Sequence, residues 1–146
     1  MLGSTRVDEI ISWIDEMPSE HLVHGRAGLA ATVVSETAAP AALLTGDEIA
    51  CGPADFDMAW VLGEFLVTEH MVRYAPDDIA AARQRELITA CRDAFLIGYG
   101  PARDLVSAGR TTTLRVLLEL HDFAAYQDRQ LDELAVQAAE LVDYAR

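Results

Sequence analysis

Four carboxylates, Asp47, Glu48, Asp55 and Asp57, fall close together around a Gly52-Pro53 turn. Carboxylates crowded into one site raise one another's pKa, and a carboxyl that keeps its proton near neutral pH can serve as a general acid. The opposing reading is a solvated acidic loop with one residue capping a helix. Two histidines stand upstream in Glu20-His21-Leu22-Val23-His24. The order is Glu-His-x-x-His, not the His-Glu-x-x-His that sets two zinc ligands and a general base on one helical face. The segment reads as a loop running into a strand, so a structural or surface role is expected for both histidines. Cys51 would be a nucleophile only beside an activating base. A buried, inert thiol is expected there, and also at Cys91, which sits on an apolar helical stripe. Trp13, Trp60, Tyr74 and Tyr99 are expected in the core or at its rim, because aromatics make up only 7% of the chain.

These residues must be positioned by a mostly helical frame. Val7, Ile10, Ile11, Ile14 and Met17 recur at helical spacing, with Thr5 and Asp8 resembling a capping box and Pro18 ending the helix. The period then changes: Thr32-Val33-Val34-Ser35 and Ala41-Ala42-Leu43-Leu44-Thr45 read as two short strands around a turn at Glu36 to Pro40. Gly46, Gly52 and Pro53 mark a loop. Beyond it, Met58, Leu62, Phe65, Leu66 and Val72 form an apolar stripe, and Asp77-Asp78 open a segment carrying Ile79, Ala82, Leu87, Cys91 and Phe95 before Gly98. Thr111 to Thr113 precede Leu114, Leu117, Leu118 and Phe123; Leu131, Leu134, Ala135, Ala138, Leu141 and Val142 predict a last helix. The expected architecture is a single domain over residues 1–146, mostly α with a small β-hairpin (α+β).

Composition narrows the partners. With 11 basic against 24 acidic residues the chain of 146 carries a formal charge of −13, which argues against nucleic acid and against an anionic membrane surface. Every basic residue is arginine, and the chain has neither lysine nor asparagine. Hydrophobic residues at 51% and charged residues at 24% match a folded globular chain. Two cysteines are too few for a disulfide framework or a thiolate zinc cage. With no signal-like leader and no apolar run of about 18 residues, a soluble, cytoplasmic protein is expected.

Three blocks occur in a definite order: Leu22-Val23-His24-Gly25, then Gly52-Pro53-Ala54-Asp55-Phe56-Asp57-Met58-Ala59, then Phe95-Leu96-Ile97-Gly98-Tyr99-Gly100. Together they resemble the C-terminal lobe of the aminoglycoside phosphotransferase and choline-kinase-like family, which shares the protein-kinase fold. The resemblance covers essentially the whole chain but only that lobe; no glycine-rich nucleotide loop and no strand lysine are present. Aligned on His24-Gly25, the catalytic-base position is Arg26 and the magnesium-binding asparagine position is Ala31. Aligned on the Gly52 block, the metal-binding aspartate position is Thr45. An arginine is no base near neutral pH, and Asp47, which falls on the family's second acidic position, is one carboxylate and not a magnesium site. The resemblance therefore implies a protein without phosphotransfer, cofactor or metal.

What it retains are structural duties: Asp57 would hold the former catalytic loop from a helix start, and His24 would order the same loop. Asp57→Ala is thus expected to destabilise the fold, and Asp55→Ala, read as a surface change, to be nearly silent. Asp47, Glu48, Asp55 and Asp57 would line the old metal cleft, where Arg26 would either hold a carboxylate or phosphate of a ligand or pair with Asp47 or Asp57. Three functions stay open. The first is a non-catalytic protein that binds a small cationic or polar metabolite, or a protein partner, with Arg26, Asp47 and Glu48 as ligand-binding residues. The second is a repurposed enzyme of specialised metabolism, doing acid/base cyclisation, isomerisation or elimination with His24, Arg26, Asp47, Asp55 or Asp57. The third is half of a split assembly. The hairpin from Thr32 to Thr45 would lie at the junction with the missing lobe, and a homodimer is expected to cover that face.

Overall fold

The computed structural model describes residues 2–34, 41–73, 78–126 and 131–145. The expected turn at Glu36 to Pro40, Tyr74 and the helix-opening Asp77 lie outside the described residues. Five helices, α1 (Ser4–Asp15), α2 (Phe56–Arg73), α3 (Asp78–Tyr99), α4 (Leu105–Tyr126) and α5 (Leu131–Tyr144), dominate the described chain. Four short strands, β1 (His21–Val23), β2 (Thr32–Val33), β3 (Ala42–Leu43) and β4 (Ala50–Gly52), complete it. The chain is mostly α with a small antiparallel β component, as the periodicities predict. Among the described residues no helix is long and apolar enough to cross a membrane.

The strands form two separate antiparallel ladders. β2 pairs β3 with Thr32 opposite Leu43 and Val33 opposite Ala42, and this is the expected hairpin, shorter than its apolar runs. The other ladder was not anticipated: β1 pairs β4, with His21 opposite Gly52, Leu22 opposite Cys51 and Val23 opposite Ala50. Its strands are too short to show an alternating pattern. Cys51 therefore lies on an exposed strand and Cys91 on an exposed helical face. The expectation of buried thiols is incorrect, because the apolar stripe of α3 turns a different set of residues inward.

The core is built where α2 crosses α4. Small residues set that distance: Ala59 is fully buried, and a Cβ added at Gly63 would meet Arg115 Cγ at 2.6 Å and the Thr112 carbonyl oxygen at 3.1 Å. The Thr112 hydroxyl donates to the Ala59 carbonyl at 3.1 Å, tying the two helices together. Met58, Ala59 and Ala108 pack on one side, and Ala27, Val61 and Phe65 on the other. Phe65 meets Phe95 of α3 with ring centroids 6.2 Å apart.

Helix α1 docks through Trp13, which is buried, with the Arg110 guanidinium 5.5 Å over its ring. Arg6 adds a two-pronged bond to the Asp143 carboxylate at 2.6 and 3.1 Å. The expected capping box at Thr5 does not form. Gly3 precedes the helix with no side-chain cap, and Thr5 already lies inside the first turn. Helix α4 begins at Leu105, ahead of the expected Thr111 start, because Asp104 caps it: its Oδ1 accepts from Val106 N–H at 3.0 Å and Ser107 N–H at 3.2 Å.

Candidate functional site

The site is built around the start of α2. Asp57 lies in the first turn of that helix, where a negative charge meets the positive end of the helix dipole. Its carboxylate accepts the His24 backbone N–H at 2.7 Å on Oδ2 and the Gly25 N–H at 3.0 Å on Oδ1. Both oxygens thus hold the loop that leaves β1.

Within that loop the sequence allows a close approach. Gly25 has φ +81°, and a Cβ there would overlap the Glu48 backbone carbonyl. The chain after β1 and the turn at Asp47-Glu48 consequently lie against each other. The His24 ring locks the same junction. Arg26 N–H can only donate to Nδ1, at 3.3 Å, and the Leu44 carbonyl can only accept from Nε2, at 2.6 Å. Both ring nitrogens are thus engaged, one toward its own loop and one toward the hairpin.

Arg26 projects into solvent, with its side chain 72% exposed, and faces Glu48 Oε1 across 3.8 Å. The expected partners Asp47 and Asp57 are replaced by Glu48, because both Asp57 oxygens already bind backbone and Asp47 sits in an exposed turn. Thr45 is exposed between the hairpin and that turn. Ala31 ends the single 3-10 turn at Leu29–Ala31, and its carbonyl accepts Leu44 N–H at 2.8 Å. His24, Arg26, Glu48 and Asp57 are thus brought together, with Asp47 beside them.

Asp55 does not belong to a solvated loop. It is 3% exposed, and its Oδ2 accepts Arg103 N–H at 2.6 Å and Asp104 N–H at 2.9 Å. Its own backbone carbonyl accepts Ala59 N–H at 2.9 Å and starts α2. The expectation that Asp55 is a surface residue is therefore overturned, since this carboxylate ties the beginning of α2 to the beginning of α4. Tyr99 lies beside both acids, with a long 3.5 Å bond from its hydroxyl to the Ala54 carbonyl. Burial, and then the negative charges of Asp55 and Asp57, push its phenol above the ordinary value of 10.0.

A second cluster escaped the sequence reading. Glu64 Oε2 accepts Leu29 N–H at 2.6 Å, and its Oε1 lies 3.5 Å from Arg115 Nη2. Arg115 also bonds Glu119 at 2.8 Å and rests 5.3 Å over the Trp60 ring. This cluster fixes the far end of the loop that Asp57 holds at its near end. The spacing of Arg115 and Glu119 on one helical face was the only local signal; Glu64 comes from a distant helix. Among the described residues no group of three or more His, Cys, Asp or Glu side chains is placed to hold a metal ion. A scan of protein-family models and searches of curated proteins and solved structures return no match to this chain.

Proposed function

We propose that this protein is a catalytically degenerate, phosphotransferase-like binding protein that carries out no ATP-dependent phosphotransfer. The observation that supports this reading is the use made of its acids and its histidine. Asp57 and Asp55 each accept two backbone N–H groups, and both His24 nitrogens are engaged. The rival acid/base reading draws on the same groups, and of its candidates His24, Asp55 and Asp57 are committed to holding loops, which leaves Asp47 as its one open carboxylate. Arg26 stands where the family's base would stand, and its fixed positive charge accepts no proton.

The groups left to meet a ligand are Arg26, Asp47 and Glu48, all at the surface of one junction. With a chain charge of −13, this rim favours a small polar metabolite bearing an amine. On this reading the protein is cytoplasmic and works as a homodimer. A thermal-shift screen against amines, polyols and nucleotides tests it, because a ligand bound only by the folded state raises the unfolding midpoint. An amine should raise the midpoint of the wild type and not that of a Glu48→Gln, Asp47→Asn double variant. A shift given by ATP and magnesium alone contradicts the reading.

A further inference from the structure

We infer that the β2–β3 hairpin is the surface through which two copies of this chain associate, with β3 as the pairing edge. The inference rests on the homodimer of the reading above and names its contact. In a two-stranded ladder each strand keeps one edge unpaired. Here Leu44 N–H bonds Ala31 O, and Val33 lies opposite Ala42, so Leu44 and Ala42 turn their backbone groups toward β2. Alternation directs those of Leu43 outward. On the other strand, the Thr32 N–H is already taken by the Leu29 carbonyl. That leaves β3 as the open edge.

The side chains around that edge are apolar and uncovered: Val34 is 72% exposed, and Leu29, Val33, Leu43 and Leu44 are each about half exposed. A lone two-stranded ladder is marginal in water and gains stability from a further strand or a covering surface. Charge decides what the cover is. Residues 27–34 and 41–46 contain no charged residue, and Glu36 is the one charge in the stretch that joins them, although the chain carries −13. Two copies repel each other over most of their surface, and this is a stretch where they can meet without facing like charges. The hairpin is also oriented for the contact, since His24 holds Leu44 and Glu64 holds Leu29. Antiparallel pairing of β3 with its copy across a two-fold axis closes the edge and stops at a dimer.

Light scattering at micromolar concentration is expected to give twice the 15.9 kDa chain mass. Leu43→Asp and Leu44→Asp should each raise the dimer dissociation constant by about a hundredfold or more, because β3 and its copy lie side by side and the two introduced charges face each other. Leu44 lies just outside the ladder and is exposed, so its variant should keep the wild-type helical circular dichroism. The Leu43 amide should also exchange with deuterium more slowly as protein concentration rises. A wild type that stays monomeric overturns both this contact and the homodimer. A dimer that withstands both hairpin variants, but is split by Leu105→Asp in the apolar cleft that Leu96 and Ile97 of α3 and Leu105 and Val106 of α4 line, overturns the contact alone and leaves the homodimer standing.

Discussion

Asp55 and Asp57 flank Phe56 at the start of α2, yet one carboxylate holds a segment that precedes them in the chain and the other a segment that follows. Asp57 takes the N–H groups of His24 and Gly25, and Asp55 those of Arg103 and Asp104. Side chains so close in sequence thereby fix the loop after β1 and the start of α4 to one helix terminus. Charged acceptors suit that place, because the dipole of α2 favours negative charge there.

The two acids should therefore differ in stability contribution in a defined order. Asp55→Ala strands two donors at a buried site and should cost about 2–4 kcal/mol; Asp57→Ala, partly exposed, should cost about 1–3 kcal/mol. Asp47→Ala, in an exposed turn, should stay within about 0.5 kcal/mol. Urea denaturation of the three variants checks the order, and a silent Asp55→Ala would remove the α2–α4 tie.

Gly25→Ala should destabilise by more than about 2 kcal/mol, since an L residue in the left-handed region costs about 1–2 kcal/mol before its Cβ meets the Glu48 carbonyl. Gly98 supplies the contrast. It lies within α3 with nothing near its missing Cβ, so Gly98→Ala should be neutral or stabilising by up to about 1 kcal/mol. Thermal unfolding of the pair tests whether the loop lies against the Asp47-Glu48 turn.

Glu64 and Arg115 should be energetically coupled. A double-mutant cycle with Glu64→Gln and Arg115→Met should give an interaction of about 0.5–3 kcal/mol, as expected for contacting, partly buried charges. Strict additivity would show that Glu64 holds Leu29 independently of Arg115.

The Tyr99 phenol should ionise above 10.0, with burial the first cause and the Asp55 and Asp57 charges the next. Because the folded state holds this proton more tightly than the unfolded chain, its contribution is fully present below pH 10 and fades as pH rises through the raised folded value. Alkaline titration of the 295 nm absorbance, wild type minus Tyr99→Phe, isolates this group. Asp57→Asn should move the midpoint down, and an unmoved midpoint would place Tyr99 away from that carboxylate.

Helix α2 was legible in the sequence because its buried Met58, Phe65 and Val72 stand seven residues apart, and α5 because its buried Ala138 and Val142 stand four apart. β4 was not, since a strand of three residues leaves no room for alternation, and nothing local marked its pairing with β1, whose segment did read as running into a strand. The start of α4 was hidden by the exposed Leu105 and Val106 and by Gly109, although Asp104 before Leu105 was an available capping signal. The loop-holding role of Asp57 was readable only through the spacing of whole blocks. Asp55 was misread because its partners, two backbone N–H groups near residue 103, leave no trace in side-chain identity. The Glu64–Arg115 cluster was hidden for the related reason that its members come from different helices.

The claim that these acids hold loops and perform no chemistry is tested most directly by magnesium-dependent turnover of γ-labelled ATP, with and without amine and hydroxyl acceptors. The account predicts no release or transfer above the buffer rate. It predicts the same for a variant with Arg26→Asp, Ala31→Asn and Thr45→Asp, because the nucleotide-binding lysine and glycine-rich loop are absent from the chain. Saturable turnover by the wild type that Asp57→Asn abolishes, while the fold persists, would contradict it.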